Sequence, residues 1–342
     1  MEKIKKILNA LLNSDTPTGF EFYGDSIIKE LADGVFDEIK TDLVGNFLLI
    51  KKSSKQNAKK LLIDAHYDTV GLMVTKIHDN GFLSVRELGG LDTSVLPSTE
   101  VTILGRERVY GIITSTPPHL KTGDSKAPKM NELYVDTGYS KEKLEKMVSI
   151  GDPIIYRNRV DYISGDFVTS SYLDDKACLC ALIHSASMMD KDKMDFDLYV
   201  TASAQEETGK SAVARLTFDL EPDLAIITDV NFARVGDDDS FDCIEAGKGA
   251  SFDISAVTDR KITKNIMKYL TSEGVSYQCS CEPSRTSTNA DYVSISGNGI
   301  PTVLISVPLK SMHTPSETAN LNDIKSLSDV LVKIAYNSKI LD

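Results

Sequence analysis

Helix-like and strand-like runs alternate along this chain, except between residues 71 and 165, where the pattern changes to short strand-like runs. In the alternating part, apolar β-rich runs such as 60–65 and 302–307 are separated by helical segments, which is typical of a sheet with βαβ connections. Short runs bounded by Gly, Pro and Asp, as in residues 71–165, predict a small β-barrel. We therefore expect an α/β fold with an inserted barrel.

The length of the chain supports this division. A chain of 342 residues is too long for one ordinary core and predicts roughly two domains, or one large α/β domain with an insertion. We expect a discontinuous α/β domain over residues 1–70 and 166–342 and a barrel domain over 71–165. No internal repeat or low-complexity tract argues against it.

Charge and hydropathy limit the partners and the location. The net charge of −12 argues against nucleic acid and against acidic membrane surfaces. Residues 1–12 form an amphipathic pattern rather than a signal peptide, and no apolar run approaches the ~18 to 20 residues that span a bilayer. The five cysteines form no disulfide pattern, so we expect free thiols, a reducing compartment and a cytoplasmic protein.

Ionisable side chains stand at the ends of the buried runs. They are His66, Glu206, Glu207, Asp229 and His313. If these runs are parallel strands of one sheet, their carboxyl ends meet at one edge, and the side chains converge there. Asp174, where the helical run 176–190 opens, can point to the same place.

This set of residue types suits metal-assisted hydrolysis. Two histidines with carboxylates suit a divalent ion such as zinc, and the surplus of acids suits two ions that share a bridging carboxylate. Adjacent side chains at a strand end point to different sides, so one residue of the pair Glu206 and Glu207 can bind metal while the other holds water. Asp68, two residues after His66, is expected to accept the other ring N–H of that histidine.

Each member also has an ordinary structural interpretation. The two glutamates can form a solvated turn, Asp174 can cap a helix, and residues 66–68 can be a strand-end turn. We expect no functional role for His78 or His184, and a structural role for His119. Only the ordered set favours a metal site.

The set resembles the M42 family of metallo-aminopeptidases, the glutamyl and tetrahedral aminopeptidases. Similar segments run along nearly the whole chain, at residues 16–21, 65–74, 115–120, 173–176, 204–209, 222–229 and 312–317. The resemblance implies a zinc-peptidase-like α/β/α sandwich that carries the catalytic site, and a barrel over 71–165 that mediates assembly from dimers to dodecamers. It also implies two divalent ions per subunit, zinc or else cobalt or manganese, and short peptides as substrates.

The same resemblance assigns roles to single residues. It implies that His66 and Asp229 hold one ion, that Glu207 and His313 hold the other, and that Asp174 rather than Asp175 bridges them. Glu206 is implied to be the general base, and Asp68 joins it as a catalytic residue through its support of His66.

The chain departs from the family pattern at three places near the expected substrate. Residues 288–291 read Thr-Asn-Ala-Asp, with Asn289 where the family has Asp; Lys310 and Ser311 replace Arg-Tyr; and Cys178 replaces a frequent glycine.

Alternative functions are an N-acyl amino acid or other amide hydrolase on the same site, and an inactive scaffold. A glycosidase fits poorly, because adjacent glutamates do not easily take the ~5 to 9 Å separation of such enzymes and the chain has no tryptophan.

Overall fold

A computed structural model describes residues 1–116, 127–236 and 244–342. The helices are α1 (Glu2–Leu12), α2 (Asp25–Ala32), α3 (Lys141–Met147), α4 (Leu173–Met188), α5 (Val213–Leu220), α6 (Arg260–Ser272), α7 (Ala290–Val293) and α8 (Leu321–Ala335). The strands are β1 (Glu38–Thr41), β2 (Phe47–Lys51), β3 (Lys59–His66), β4 (Gly71–Ile77), β5 (Leu83–Leu88), β6 (Glu100–Leu104), β7 (Arg108–Ser115), β8 (Leu133–Asp136), β9 (Pro153–Tyr156), β10 (Asp161–Ile163), β11 (Phe167–Ser170), β12 (Phe196–Ser203), β13 (Leu224–Phe232), β14 (Ser251–Ser255), β15 (Gln278–Glu282), β16 (Thr302–Lys310) and β17 (Glu317–Asn320).

A large sheet forms the middle of three layers. Its strand order is β1-β2-β12-β3-β13-β16-β17-β11-β10, with β14 pairing β16 and β15, and its centre is parallel. The central strands are apolar on both faces because both are covered: Leu61 and Ile63 pack in the layer of α1, α4 and α8, whereas Leu62 packs toward α5 and α7. The expected α/β/α sandwich is confirmed.

The expected β-barrel is also present. Strands β4-β5-β8-β7-β6-β9 close on themselves, and their inward side chains, such as Val74, Val85 and Ile103, fill the interior. The barrel strands run from Gly71 to Tyr156, inside the predicted range, and the chain then rejoins the main sheet through β10. In the described residues, none of the helices is both long and apolar enough to cross a membrane.

One face of the main sheet changes from apolar to polar along its strands. On the side covered by α5 and α7, apolar residues such as Leu62 and Ile227 occupy the middle of the strands. Toward the carboxyl ends the same face carries His66 on β3, Asp229 on β13 and Ser306 on β16, all buried. Buried polar residues at the carboxyl edge of a parallel sheet indicate a functional site at this edge.

Candidate metal centre

Two groups of ligand-type atoms meet at this edge. In the first group, His66 Nε2 lies 3.1 Å from Asp174 Oδ1 and 3.9 Å from Asp229 Oδ1. In the second, His313 Nε2 lies 3.2 Å from Asp174 Oδ2 and 3.4 Å from Glu207 Oε2. Within each group all ligand atoms lie within 4.8 Å of one another.

Asp174 belongs to both groups, and each of its carboxylate oxygens faces a different histidine. Its carboxylate oxygens face these two histidines and accept no hydrogen bond from a backbone N–H group of α4, so the helix-cap interpretation of Asp174 does not hold. Among the described residues, Asp175 belongs to neither group. The structure thus brings together all five residues for which ligand roles were predicted.

Burial and mutual repulsion disfavour the charged form of two of these acids. Burial raises the pKa of Glu207 well above its usual range, and the neighbouring Asp174 raises it further. Burial likewise raises the pKa of Asp229, and Asp175 adds to the shift. One oxygen of Glu207, Oε1, is buried without a hydrogen-bond partner among the described residues. A cation bound here offsets the repulsion and gives that oxygen a partner, so the donor set fits divalent metal.

The histidines counter the charge of Asp174. Burial alone would raise the pKa of Asp174, but its hydrogen bonds with His313 and His66 bring that pKa below its usual range. Burial lowers the pKa of His66, yet Asp174 and Asp68 together hold it well above its usual value. Protons on the two imidazoles thus supply the positive charge that the buried carboxylate of Asp174 favours. A metal ion bound between the same nitrogen and oxygen atoms can supply that charge in their place.

Glu206 lies beside the two groups without belonging to either. It begins a short 3-10 turn directly after β12, and its side chain lines the same cavity as the candidate ligands. Burial raises the pKa of Glu206 to about 7, with His66 opposing the shift. A carboxyl group with such a pKa can accept and return a proton near neutral pH.

Asp68 supports the site differently from the expectation. His66 Nδ1 lies 3.0 Å from the backbone oxygen of Asp68 and 3.6 Å from its carboxylate, so the carbonyl is the nearer acceptor. The buried carboxylate instead accepts hydrogen bonds from the backbone N–H groups of Glu206, at 3.1 Å, and Glu207, at 3.2 Å. Through these two bonds the carboxylate orients the glutamate turn, and it also raises the pKa of the nearby His66 imidazole.

Two further buried carboxylates hold backbone near the site, and the sequence pattern did not reveal them. Glu317 accepts hydrogen bonds from the backbone N–H of His313, at 2.7 Å, and of Asp174, at 3.1 Å. Glu21 accepts one from Gln205, at 3.1 Å. His313 and Gln205 have φ angles of 60° and 61°, in the left-handed region that non-glycine residues adopt at a cost of about 1–3 kcal/mol. These carboxylates stabilise the strained backbone that presents the ligands.

Glu317→Gln is expected to weaken metal binding by about 10- to 100-fold, the usual effect of losing a residue that orients ligands. A glutamine oxygen can accept only one of the two N–H groups, and its amide then points a donor at the other. Metal titration measures the change.

Asp323→Asn is the matched control for this substitution. Asp323 is a buried carboxylate that also accepts two backbone hydrogen bonds, from Gly247 and Gly249, but it lies outside the metal groups. We expect it to lower stability without changing metal affinity. Equal metal affinities of Glu317→Gln and the wild type would contradict the positioning role.

The departures from the family pattern have local explanations. Asn289 donates hydrogen bonds to the buried carboxylate of Asp64, at 2.8 Å, and to Ser203, at 3.0 Å. The displaced acid, Asp291, accepts from the backbone of residues 286 and 287. Cys178 Sγ donates to the Asp229 carbonyl at 3.0 Å. Lys310 Nζ lies 5.4 Å from the Phe167 ring centre, and nothing in the structure explains Ser311.

Among the described residues, the other histidines and the cysteines belong to neither group of ligand-type atoms. His78 bonds Ser84 on the barrel, and His184 is buried in α4. Cys178 and Cys180 are buried free thiols, and Cys279 and Cys281 are exposed ones on β15. His119 and Cys243 lie outside the described residues.

The chain is similar in sequence to known aminopeptidases. The family model of the M42 glutamyl aminopeptidases matches residues 45–330. The lysyl aminopeptidase of Pyrococcus furiosus is 29% identical over 338 residues, which cover 96% of this chain and 95% of that protein. The glutamyl aminopeptidase of Lactococcus lactis is 24% identical over 337 residues, covering 94% and 93%.

Solved structures share the whole fold. An aminopeptidase from the archaeon Desulfurococcus kamchatkensis superposes with a TM-score of 0.92 at 26% identity, covering 100% of this chain and 97% of that one. The TET1 peptidase of Pyrococcus horikoshii has a TM-score of 0.84 at 26% identity, with 97% and 99% covered. That peptidase can assemble into a tetrahedron or a large octahedral shell.

Proposed function

The chain belongs to the M42 family of aminopeptidases, which hydrolyse peptide bonds, and we propose that it is a dinuclear metal-dependent enzyme that removes the amino-terminal residue from short peptides. The observation that carries the proposal is the shared position of Asp174 between the two groups of ligand-type atoms. One carboxylate that faces two sets of donors is the arrangement that suits a pair of ions.

His66 and Asp229 would hold one ion, Glu207 and His313 the other, and Asp174 both. Nitrogen and carboxylate donors suit zinc, with cobalt or manganese as alternatives. When bound there, two such ions would supply polarisation of the scissile carbonyl and a lowered pKa of water.

Glu206 carries the proton in this mechanism. Its half-buried carboxylate takes a proton from the attacking water and returns it to the amine that leaves, so that a single group serves as base and then as acid. Asp68 contributes by fixing the backbone of Glu206 and Glu207 through two hydrogen bonds. This keeps the proton carrier and a ligand at a constant separation.

A panel of aminoacyl chromogenic substrates, each with a free or an acylated amino group, tests the proposal. We expect hydrolysis of the free amino-terminal substrates after loading with zinc, cobalt or manganese, and loss of that activity on treatment with a chelator. Cleavage of the acylated substrates alone would instead indicate a deacylase. No cleavage and no metal binding across the panel would indicate an inactive scaffold.

The protein assembles as a homo-oligomer in which residues 71–165 form the oligomerisation domain. Tyr110 and Ile112 on β7 are 59% and 50% exposed, and Ile150 is 68% exposed. The described residues of this domain include none of the candidate metal ligands, and exposed apolar side chains on such a domain favour contacts with another subunit. The TET1 relative, which assembles into closed shells, supports the same conclusion.

A further inference from the structure

A cavity of about 690 Å³ extends from the candidate metal centre along the sheet. One end is lined by candidate ligands and Glu206, and the other by strand residues that the mechanism above does not use. The latter include Asn231 on β13, Asp253 on β14 and Ser306 on β16. Because this space adjoins the ions, the side chain of the substrate's first residue has room to lie in it.

Asp253 forms the centre of a buried polar cluster at that end. The residue is 1% exposed, and its carboxylate accepts hydrogen bonds from the hydroxyl groups of Ser251, at 3.0 Å, Ser280 and Ser306. We call these four residues the Asp253 cluster. They come from three neighbouring strands, β14, β15 and β16, whose pairing aligns them on one face of the sheet.

The cluster lies next to a candidate metal ligand. Ser306 is the Cα partner of Asp229 on the adjacent parallel strand, and Ser251 is the partner of Ser306 on the other side. Neighbouring strands are about 4.8 Å apart. Only β16 lies between Asp229 on β13 and Asp253 on β14. An extended substrate side chain whose backbone lies at the ions can therefore reach Asp253.

The chemistry of the cluster selects hydrogen-bond donors. A serine hydroxyl has one donor, and all three serines give theirs to Asp253. Their remaining capacity is for accepting hydrogen bonds only, and Ser280 Oγ already accepts one from Asn231 Nδ2, at 3.2 Å. Burial raises the pKa of Asp253, and the hydrogen bonds of the cluster oppose that shift. Among the described residues Asp253 has no ion-pair partner, so its ionised carboxylate is stabilised by neutral donors alone.

We infer that the Asp253 cluster binds the side-chain cation of the substrate's amino-terminal residue, so that the enzyme prefers lysine or arginine there. The inference rests on the proposed function. An ammonium or guanidinium group supplies several N–H donors and the matching charge, and the flexible four-carbon stem of lysine gives the reach.

A competing feature of the same cavity is Arg285, which would favour acidic substrates. Arg285 is exposed in the loop after β15, whereas Asp253 is buried. Charge interactions weaken where water has access, since the effective dielectric constant is higher there. The buried carboxylate therefore determines the preference.

The test compares kcat/KM for lysyl, leucyl and glutamyl chromogenic substrates in the zinc-loaded protein. We expect the wild type to favour the lysyl substrate, and Asp253→Asn to lower the ratio of lysyl to leucyl kcat/KM by about 10- to 100-fold, the range for a hydrogen bond to a charged group. Ser306→Ala removes one acceptor and should lower the same ratio about 2- to 10-fold. It also serves as the second test if Asp253→Asn does not fold.

Asp92→Asn is the matched control, because Asp92 lines the same cavity but is exposed and bonds its own loop at Ser94. It makes the same change of charge, and screening should keep its effect on the ratio below about 2-fold. A wild-type preference for leucyl or glutamyl substrates, or an equal fall for all three in Asp253→Asn, would overturn the inference and leave the proposed function intact. Failure to hydrolyse any of the three would overturn both.

Discussion

Glu206→Gln is expected to lose about 10²–10⁴-fold in kcat while it keeps both metal ions, because general acid–base catalysis contributes that much. The amide cannot take a proton from water, but it is close in shape to the carboxylate. Glu206 lies outside both groups of ligand-type atoms, so its replacement leaves the ligands in place. Its backbone bond to Asp68 is also unaffected by the change of side chain.

Glu207→Gln makes the same substitution one residue along and is the natural control. Glu207 Oε2 faces His313, and Glu207 belongs to the second group of ligand-type atoms, so we expect this variant to lose one of the two ions. Elemental analysis of the purified variants, together with kcat for a cleaved substrate, separates the two roles. Normal turnover in Glu206→Gln, or metal loss equal to that of Glu207→Gln, would disprove the division.

The residues at strand ends were predictable because strand periodicity and parallel pairing determine where they go. His66 directly ends a buried run and Asp229 follows one, and the parallel register carries both to the same edge. The α/β/α layers follow from the same pattern, since Leu61 and Leu62 must face opposite sides. Periodicity therefore sufficed for the fold and for the placement of these two residues.

The supporting residues were not predictable in this way. Glu317 and Asp174 are 143 positions apart, and the Glu317 side chain accepts a hydrogen bond from the Asp174 backbone amide. Every residue except proline has such an amide, so the identity of residue 174 does not indicate this contact. The Asp253 cluster has the same character. Nothing in the sequence around its serines distinguishes them from other strand residues. They lie together only because β14 and β16 pair in the register that places Ser251 opposite Ser306. Contacts that depend on pairing between distant strands require the structure.

Asn289 shows how a departure from a family pattern can be compensated. A carboxylate at this position would lie against buried Asp64, and two like charges without water repel strongly. The amide donates to Asp64 instead, and the displaced acid Asp291 caps its own loop. The sequence revealed the departure, but only the structure identified the partner that makes it tolerable.

Asp174→Asn is expected to lose both ions, with each metal affinity reduced by at least about 100-fold, beyond the usual effect of losing a supporting residue. The asparagine keeps the backbone N–H that donates to Glu317, so the fold around it should persist. Asp229→Asn is the comparison, because Asp229 belongs to one group only and should lose a single ion.

Two measurements check the Asp174 prediction, metal content by elemental analysis and the rise in Tm when zinc is added. Binding to the folded state raises stability by RT ln(1 + [L]/Kd), which falls as affinity falls, so at one zinc concentration the rise in Tm should be smaller in Asp229→Asn and smallest in Asp174→Asn. If Asp174→Asn kept one ion at wild-type affinity, Asp174 would serve a single metal. The bridging arrangement, and with it the dinuclear mechanism, would then be wrong.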